Sequence, residues 1–168
     1  MDNITIALSA IIALLLAGFL GYIFFWQRKH GIGEDTSIDN NTRQMRLQAY
    51  ERLTLLVDRI ALPNLIARLG QGQFSAREMQ LILTQNIRQE FDYNITQQIY
   101  VSADAWNTVR NLKEQNMLVI NQFANNLPPN ATALDLNKLL LEYLMNDAKG
   151  SLHDKVSEVL SYEAKKLL

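Results

Sequence analysis

The chain begins with an unbroken apolar run and then changes period. Ile4 to Trp26 carries no charged side chain. As a helix it spans about 34 Å at about 1.5 Å per residue, enough to cross a hydrocarbon core of about 30 Å with some tilt. A core helix of a water-soluble domain needs one apolar stripe, not an apolar circumference. The run therefore predicts a transmembrane anchor. Within it Ser9, Ala13, Ala17 and Gly21 recur at steps of four, which lines them on one helix face. In lipid, small side chains on such a face let a second helix approach closely. These residues are the candidate helix-packing face.

From Thr42 the pattern turns amphipathic. Ala49, Leu53, Leu56 and Ile60 make one stripe, and Pro63 should kink or restart that helix before Gly70 ends it. Ser75 and Glu78 have the spacing of a capping box. Behind them Met79, Leu83, Ile87, Phe91, Ile95 and Ile99 follow at steps of four, predicting one helix to about Gln98, with Asp92, Tyr93 and Asn94 as its weak middle. Ile99-Tyr100-Val101 reads as an extended connector leading to Ser102, an N-cap. The next helix carries Trp106, Val109, Leu112, Val119, Ile120 and Phe123. Asn116 interrupts its stripe. Buried, it would fix register in a bundle; the expectation is that it faces solvent. Pro128-Pro129 ends this segment. Thr132 with Asp135 starts a helix bearing Leu136, Leu140 and Leu144, and Ser151 with Asp154 starts a last one bearing Val156, Leu160 and Leu167.

Together these patterns give an all-α chain: one N-terminal transmembrane helix, then a cytoplasmic helical-bundle domain of about five helices. The expected divisions are 1–30 for the anchor and its basic flank, 31–41 for a flexible linker, and 42–168 for the helical domain. Linker character rests on the small, polar, acidic sequence GIGEDTSIDNN. Orientation rests on Arg28 and Lys29, which follow the run while only Met1, Asp2 and Asn3 precede it. Basic residues stay on the cytoplasmic side, so the N-terminus is expected outside and the helical domain in the cytoplasm. A cleaved signal peptide would need a basic start, a shorter core and small residues before cleavage; Phe24, Phe25 and Trp26 stand there instead.

Composition narrows the function more by exclusion than by assignment. The formal charge is −1, so no global field selects nucleic acid. Between Thr42 and Glu90 there are seven arginines (43, 46, 52, 59, 68, 77, 88) against four acids (Glu51, Asp58, Glu78, Glu90). That bias suits anionic lipid heads or a solvated face with internal ion pairs, and the second is expected, since no cluster of adjacent cations occurs. Cysteine is absent, which removes thiolate metal sites and cysteine nucleophiles. The histidines His30 and His153 lack partners at metal-ligand spacing. No nucleophile elbow, phosphate loop or dinucleotide fingerprint is present. No cofactor or catalytic residue is therefore assigned. Of the aromatic residues, Tyr100 and Trp106 are candidates for partner contact, although in a small helical domain Trp106 is expected to fill the core.

The segments RLQAYERLTLLVDRIALPNLIARL and QEFDYNITQQIYVSADAWNTV carry a resemblance over nearly the whole chain. Through Arg52-Leu53-Thr54-Leu55, the Pro63-Asn64-Leu65 step and Gln97 to Ser102, the chain resembles a family of small single-pass membrane proteins from Bacteroidota without assigned function. The resemblance implies a bacterial inner membrane and supplies no activity.

The function expected from the sequence is that of a membrane-anchored, non-enzymatic interaction protein, a scaffold or accessory subunit of a larger inner-membrane complex. Its partners would be the bilayer and a protein or second copy, reached through the anchor and the cytoplasmic helices. The alternatives are a tethered enzyme whose site assembles from scattered residues, and a tethered nucleic-acid or anionic-lipid binder.

If Arg28 and Lys29 set the orientation, a reporter fused after Leu168 should read cytoplasmic. Replacing both basic residues with neutral ones should mix the two topologies. A periplasmic signal from the unaltered chain would refute the assignment.

Overall fold

The computed structural model describes residues 36–70, 72–146 and 152–168, together with Tyr22. Apart from Tyr22, the anchor, its small-residue face and its basic flank lie outside the described residues. Among the described residues no helix is long and apolar enough to cross a membrane. The chain divides into two units, Met1–Asn41 and Thr42–Leu168. The second unit is the helical domain.

The described residues form six α-helices and no strand. Helix α1 spans Thr36–Ile60, α2 Leu62–Leu69, α3 Ala76–Tyr93, α4 Ala103–Asn126, α5 Ala133–Asn146 and α6 Leu152–Lys165. A 3-10 helix, Ile95–Ile99, lies between α3 and α4. Helix α1 starts at Thr36, so residues 36–41 of the expected linker are helical. Asp39 in the first turn suits the positive end of the helix dipole, and extending a helix already nucleated by the Ala49-to-Ile60 stripe costs little.

That stripe is buried throughout, each of Ala49, Leu53, Leu56 and Ile60 being at most 1% exposed. It joins one apolar core with Leu65, Met79, Leu83, Ile87, Leu112, Ile120, Leu136, Leu140, Val156 and Leu160. Helix α3 packs on α4 and α5, and α6 packs on α4. Trp106 is in this core, its ring 5.0 Å from that of Phe91 and tilted by 33°. Lys113 Nζ lies 4.5 Å from the centre of the Phe91 ring, in cation–π range.

Three departures from the sequence pattern have local causes. The helix expected to reach Gln98 stops at Tyr93. Asn94 is buried and donates its Nδ2 to the Glu90 carbonyl at 2.9 Å, offering the backbone an alternative to the helical ladder. The chain tightens into i→i+3 bonds, Gln97 N–H to Asn94 O and Tyr100 N–H to Gln97 O, both 3.0 Å. This 3-10 turn replaces the expected extended connector and carries Ile95 and Ile99 out to solvent. The third departure is Asn116, expected at the surface and found in the core at 7% exposure. Its Nδ2 donates to the Ile60 carbonyl at 2.8 Å. In a continuous helix that carbonyl would take the amide of Asn64, but the chain bends at Ala61, whose φ of −57° and ψ of 127° are not helical.

The expected caps at Ser75 and Thr132 both form; Ser151 lies outside the described residues. Ser75 N–H donates to Glu78 Oε2 at 2.8 Å while Glu78 N–H donates to Ser75 Oγ at 3.2 Å. Thr132 and Asp135 repeat the exchange at 2.8 and 3.3 Å. The two caps also meet: Ala76 N–H donates to Ala131 O and Ala133 N–H to Phe74 O, each at 2.9 Å. This antiparallel bridge ties the start of α3 to the start of α5. Beyond the other end of α3, Ser102 Oγ caps α4 by accepting from Ala105 N–H at 3.1 Å, and Ser102 N–H donates to the buried Tyr50 hydroxyl at 3.2 Å.

Replacing Asn116 with leucine keeps the volume and removes the donor, leaving the Ile60 carbonyl buried and unpaired. The expected cost is about 1–3 kcal/mol, read as a fall in the urea midpoint by circular dichroism. An unchanged midpoint would show that the hydrogen bond contributes nothing net.

Candidate functional site

The bend that Asn116 secures also gathers the surface chemistry of the domain. Pro63 has no N–H, so the Arg59 carbonyl one turn earlier loses its helical partner. Arg68 Nη2 takes that place at 3.2 Å. The same guanidinium reaches helix α3 twice, at Asn86 Oδ1 (2.8 Å) and Glu90 Oε1 (3.2 Å). Arg59 converges on the same oxygen, Nε at 2.7 Å. On the other side of the bend Asn64 Nδ2 holds the Asp58 carbonyl at 3.1 Å and its carboxylate at 2.8 Å.

Two guanidinium groups on one carboxylate leave the cluster with a net positive charge. Burial pushes the Glu90 carboxyl up, but hydrogen bonds and charge attraction from Arg59 and Arg68 outweigh it and hold the group below its ordinary value of 4.5. Arg59 is raised in turn, first by its hydrogen bond to Glu90.

Beside this cluster, between α1 and α3, runs an open groove of about 620 Å³ lined by Arg52, Leu55, Leu56, Arg59, Gln89 and Tyr93. A second groove of about 650 Å³ lies between α1 and α6, over Leu47, Tyr50, Leu160, Ala164 and Leu168. Leu55 lines both. It is 63% exposed, and Tyr93 is 76% exposed. The outer face of α1 is thus an apolar ridge with a trough on either side, one of them edged by arginine. Parallel troughs beside a ridge are the relief that a second helix packs into.

Other chemistry is sparse among the described residues. No group of three or more His, Asp or Glu stands together in a way that could hold a metal ion. His153 Nδ1 lies 3.2 Å from Asp154 Oδ1 in the first turn of α6. The arginine excess is partly internal: Arg59 and Arg68 are engaged with Glu90, and Arg77 donates to Gln80 at 2.6 Å.

The candidates named from sequence separate. Trp106, at 9% exposure and tilted against Phe91, belongs to the core cluster. Tyr100 is 39% exposed in the turn that follows the 3-10 helix. Ser9, Ala13, Ala17, Gly21, Arg28, Lys29 and His30 lie outside the described residues. Sequence reasoning passed over Leu55 and Tyr93. For Leu55 a signal existed: it stands between the stripe residues Leu53 and Leu56, and helical spacing turns it away from them.

A model of a family of unknown function, DUF7935, matches residues 1–167, and the chain belongs to that family. No curated protein and no solved structure matches it.

Glu90→Gln removes the charge that joins α1, α2 and α3. At neutral pH the variant should lose about 1–2 kcal/mol, less than a buried pair because Arg59 is half exposed. The sign with pH follows from the depressed carboxyl. Its stabilisation is complete above 4.5 and is lost as pH falls through the lower folded value. The gap between wild type and variant should therefore close in acid. A gap that stays constant on acidification, measured by urea titration at stepped pH, would refute the assignment.

Proposed function

We propose that this family member is a membrane-anchored interaction protein without catalytic activity. The apolar run Ile4 to Trp26 holds it in a bacterial inner membrane with the N-terminus outside. The helical domain, in the cytoplasm, offers the outer face of α1 to a helix of a protein partner in a larger membrane complex. The observation that carries this reading is Leu55, an exposed apolar ridge with a groove on each side. Isolated exposed apolar residues are ordinary; one that sits between two grooves, with Tyr93 and Leu168 also exposed beside them, is a patch of the kind that partners cover. Arg52 and Arg59 on one edge favour a partner helix bearing acidic residues next to its apolar ones. The unbroken apolar run and the resemblance to single-pass proteins of Bacteroidota support the membrane assignment.

A photo-crosslinking side chain at position 55, activated in intact membranes, should give a discrete adduct. The same group at Leu118, 59% exposed on α4, should give none. Leu55→Glu should abolish co-purification of the crosslinked species. An adduct at twice the chain's own mass would identify the occupant as a second copy. No adduct, or equal adducts at both positions, would overturn the proposal.

A further inference from the structure

Taking the membrane anchor proposed above as given, we infer that the uncharged turn between α3 and α4 rests in the headgroup layer of the lipid surface. No charged residue occurs from Tyr93 to Ala103. Within that stretch Ile99 is 72% exposed, and Ile95 and Tyr100 are exposed with it. Outward isoleucines beside a tyrosine are side chains that settle at a membrane interface, apolar bodies inward and the hydroxyl at headgroup level.

The exposure is built into the turn. Its backbone closes on itself through the bonds from Gln97 and Tyr100. Asn94 pins its start to the end of α3, and Ser102 N–H pins its far side to the Tyr50 hydroxyl on α1. Val101 packs against the core. The isoleucines are thus presented outward with little further ordering to pay on contact. Amides that are already paired also lose little where water thins out.

The surroundings select lipid over a protein. Ile95, Ile99 and Tyr100 line neither groove beside Leu55, and a convex turn offers no trough to a partner helix. Helices α1 and α3 run antiparallel: Glu90 meets Arg59, and the turn beyond Tyr93 reaches back to Tyr50. The turn therefore lies beside the half of α1 through which the chain enters the domain at Thr42. Residues 27–41 join that point to the apolar run, and even fully extended they reach about 54 Å at most. A domain so confined meets the bilayer at high effective concentration, and a weak contact suffices. The nearest charges on either side of the turn, Asp92 and Asp104, are acids. They give anionic headgroups no hold, and they are costly in hydrocarbon. The contact is therefore apolar, shallow and independent of lipid charge.

The chain has no cysteine, so Gln98→Cys, Leu134→Cys and Ile12→Cys can each carry a single environment-sensitive fluorophore in the full-length protein in lipid vesicles. Leu134 is as exposed as Ile99 and sits at the opposite end of α3, beside the bridge to Ser75. Lipids spin-labelled near the headgroup should quench the fluorophore at 98 and leave that at 134 unquenched, equally in zwitterionic and anionic vesicles. Ile95→Ser combined with Ile99→Ser should abolish quenching at 98 while the circular dichroism stays helical. Lipids spin-labelled deep in the acyl chain should quench position 12; if they do not, it is the membrane reading that fails. With position 12 quenched, an unquenched 98, equal quenching at 98 and 134, or quenching that survives the double substitution would each overturn the inference. Protection of position 98 from aqueous iodide without quenching by lipid would overturn it in favour of a protein contact.

Discussion

The domain depends on what becomes of the backbone carbonyls at the end of α1. A helix end normally leaves its last carbonyls to water or to a cap. Here the end is half-buried, and Pro63 together with the turn at Ala61 withdraws the amides that would have served. Three side chains replace them. Asn64 takes Asp58, Arg68 takes Arg59, and Asn116 takes Ile60. The three carbonyls are consecutive, and the donors come from α2 and α4. Arg68 and Arg59 then extend the network to α3 through Glu90. A local requirement, that buried polar groups be paired, therefore fixes how four helices meet.

The second organising device is the paired cap. Carboxylates at Glu78 and Asp135 accept backbone N–H groups at two helix starts, which holds both below their ordinary range. The backbone bridge between Ser75 and Thr132 joins those starts. The helix ends are thereby positioned by hydrogen bonds, while the apolar stripes provide the non-directional drive for packing. The open relief on α1 remains because the core-facing residues of that helix are already used at Leu53 and Leu56, and Leu55 has nowhere inside to go.

Much of this domain is legible in the sequence alone. The all-helical class, the buried stripes and the capping boxes at Ser75 and Thr132 follow from spacing, because a period of 3.6 residues and a Ser/Thr-x-x-acid pattern have direct physical meaning. Periodicity failed where a short polar side chain competed with the backbone. At Asn94 the step of four ran on through Ile95 and Ile99, yet the side-chain bond to Glu90 had already ended the helix. At Asn116 polarity argued for solvent, and the compensating carbonyl lay 56 residues earlier in sequence. Nothing local announces such a partner. Trp106 was legible as core from its apolar bulk. Leu55 was masked by the stripe on either side of it, since Leu53 and Leu56 account for the local period without it.

The Pro63–Asn116 arrangement also constrains how this sequence can drift. Loss of the asparagine alone strands a buried carbonyl. Loss of the proline alone invites the helix to run straight, reclaims that carbonyl for a backbone amide, and strands the asparagine. Either single step costs about 1–3 kcal/mol, a substantial part of the stability of a domain this size. The pair is therefore a historical ratchet: a lineage that has acquired both positions can leave them only together, or after gaining stability elsewhere.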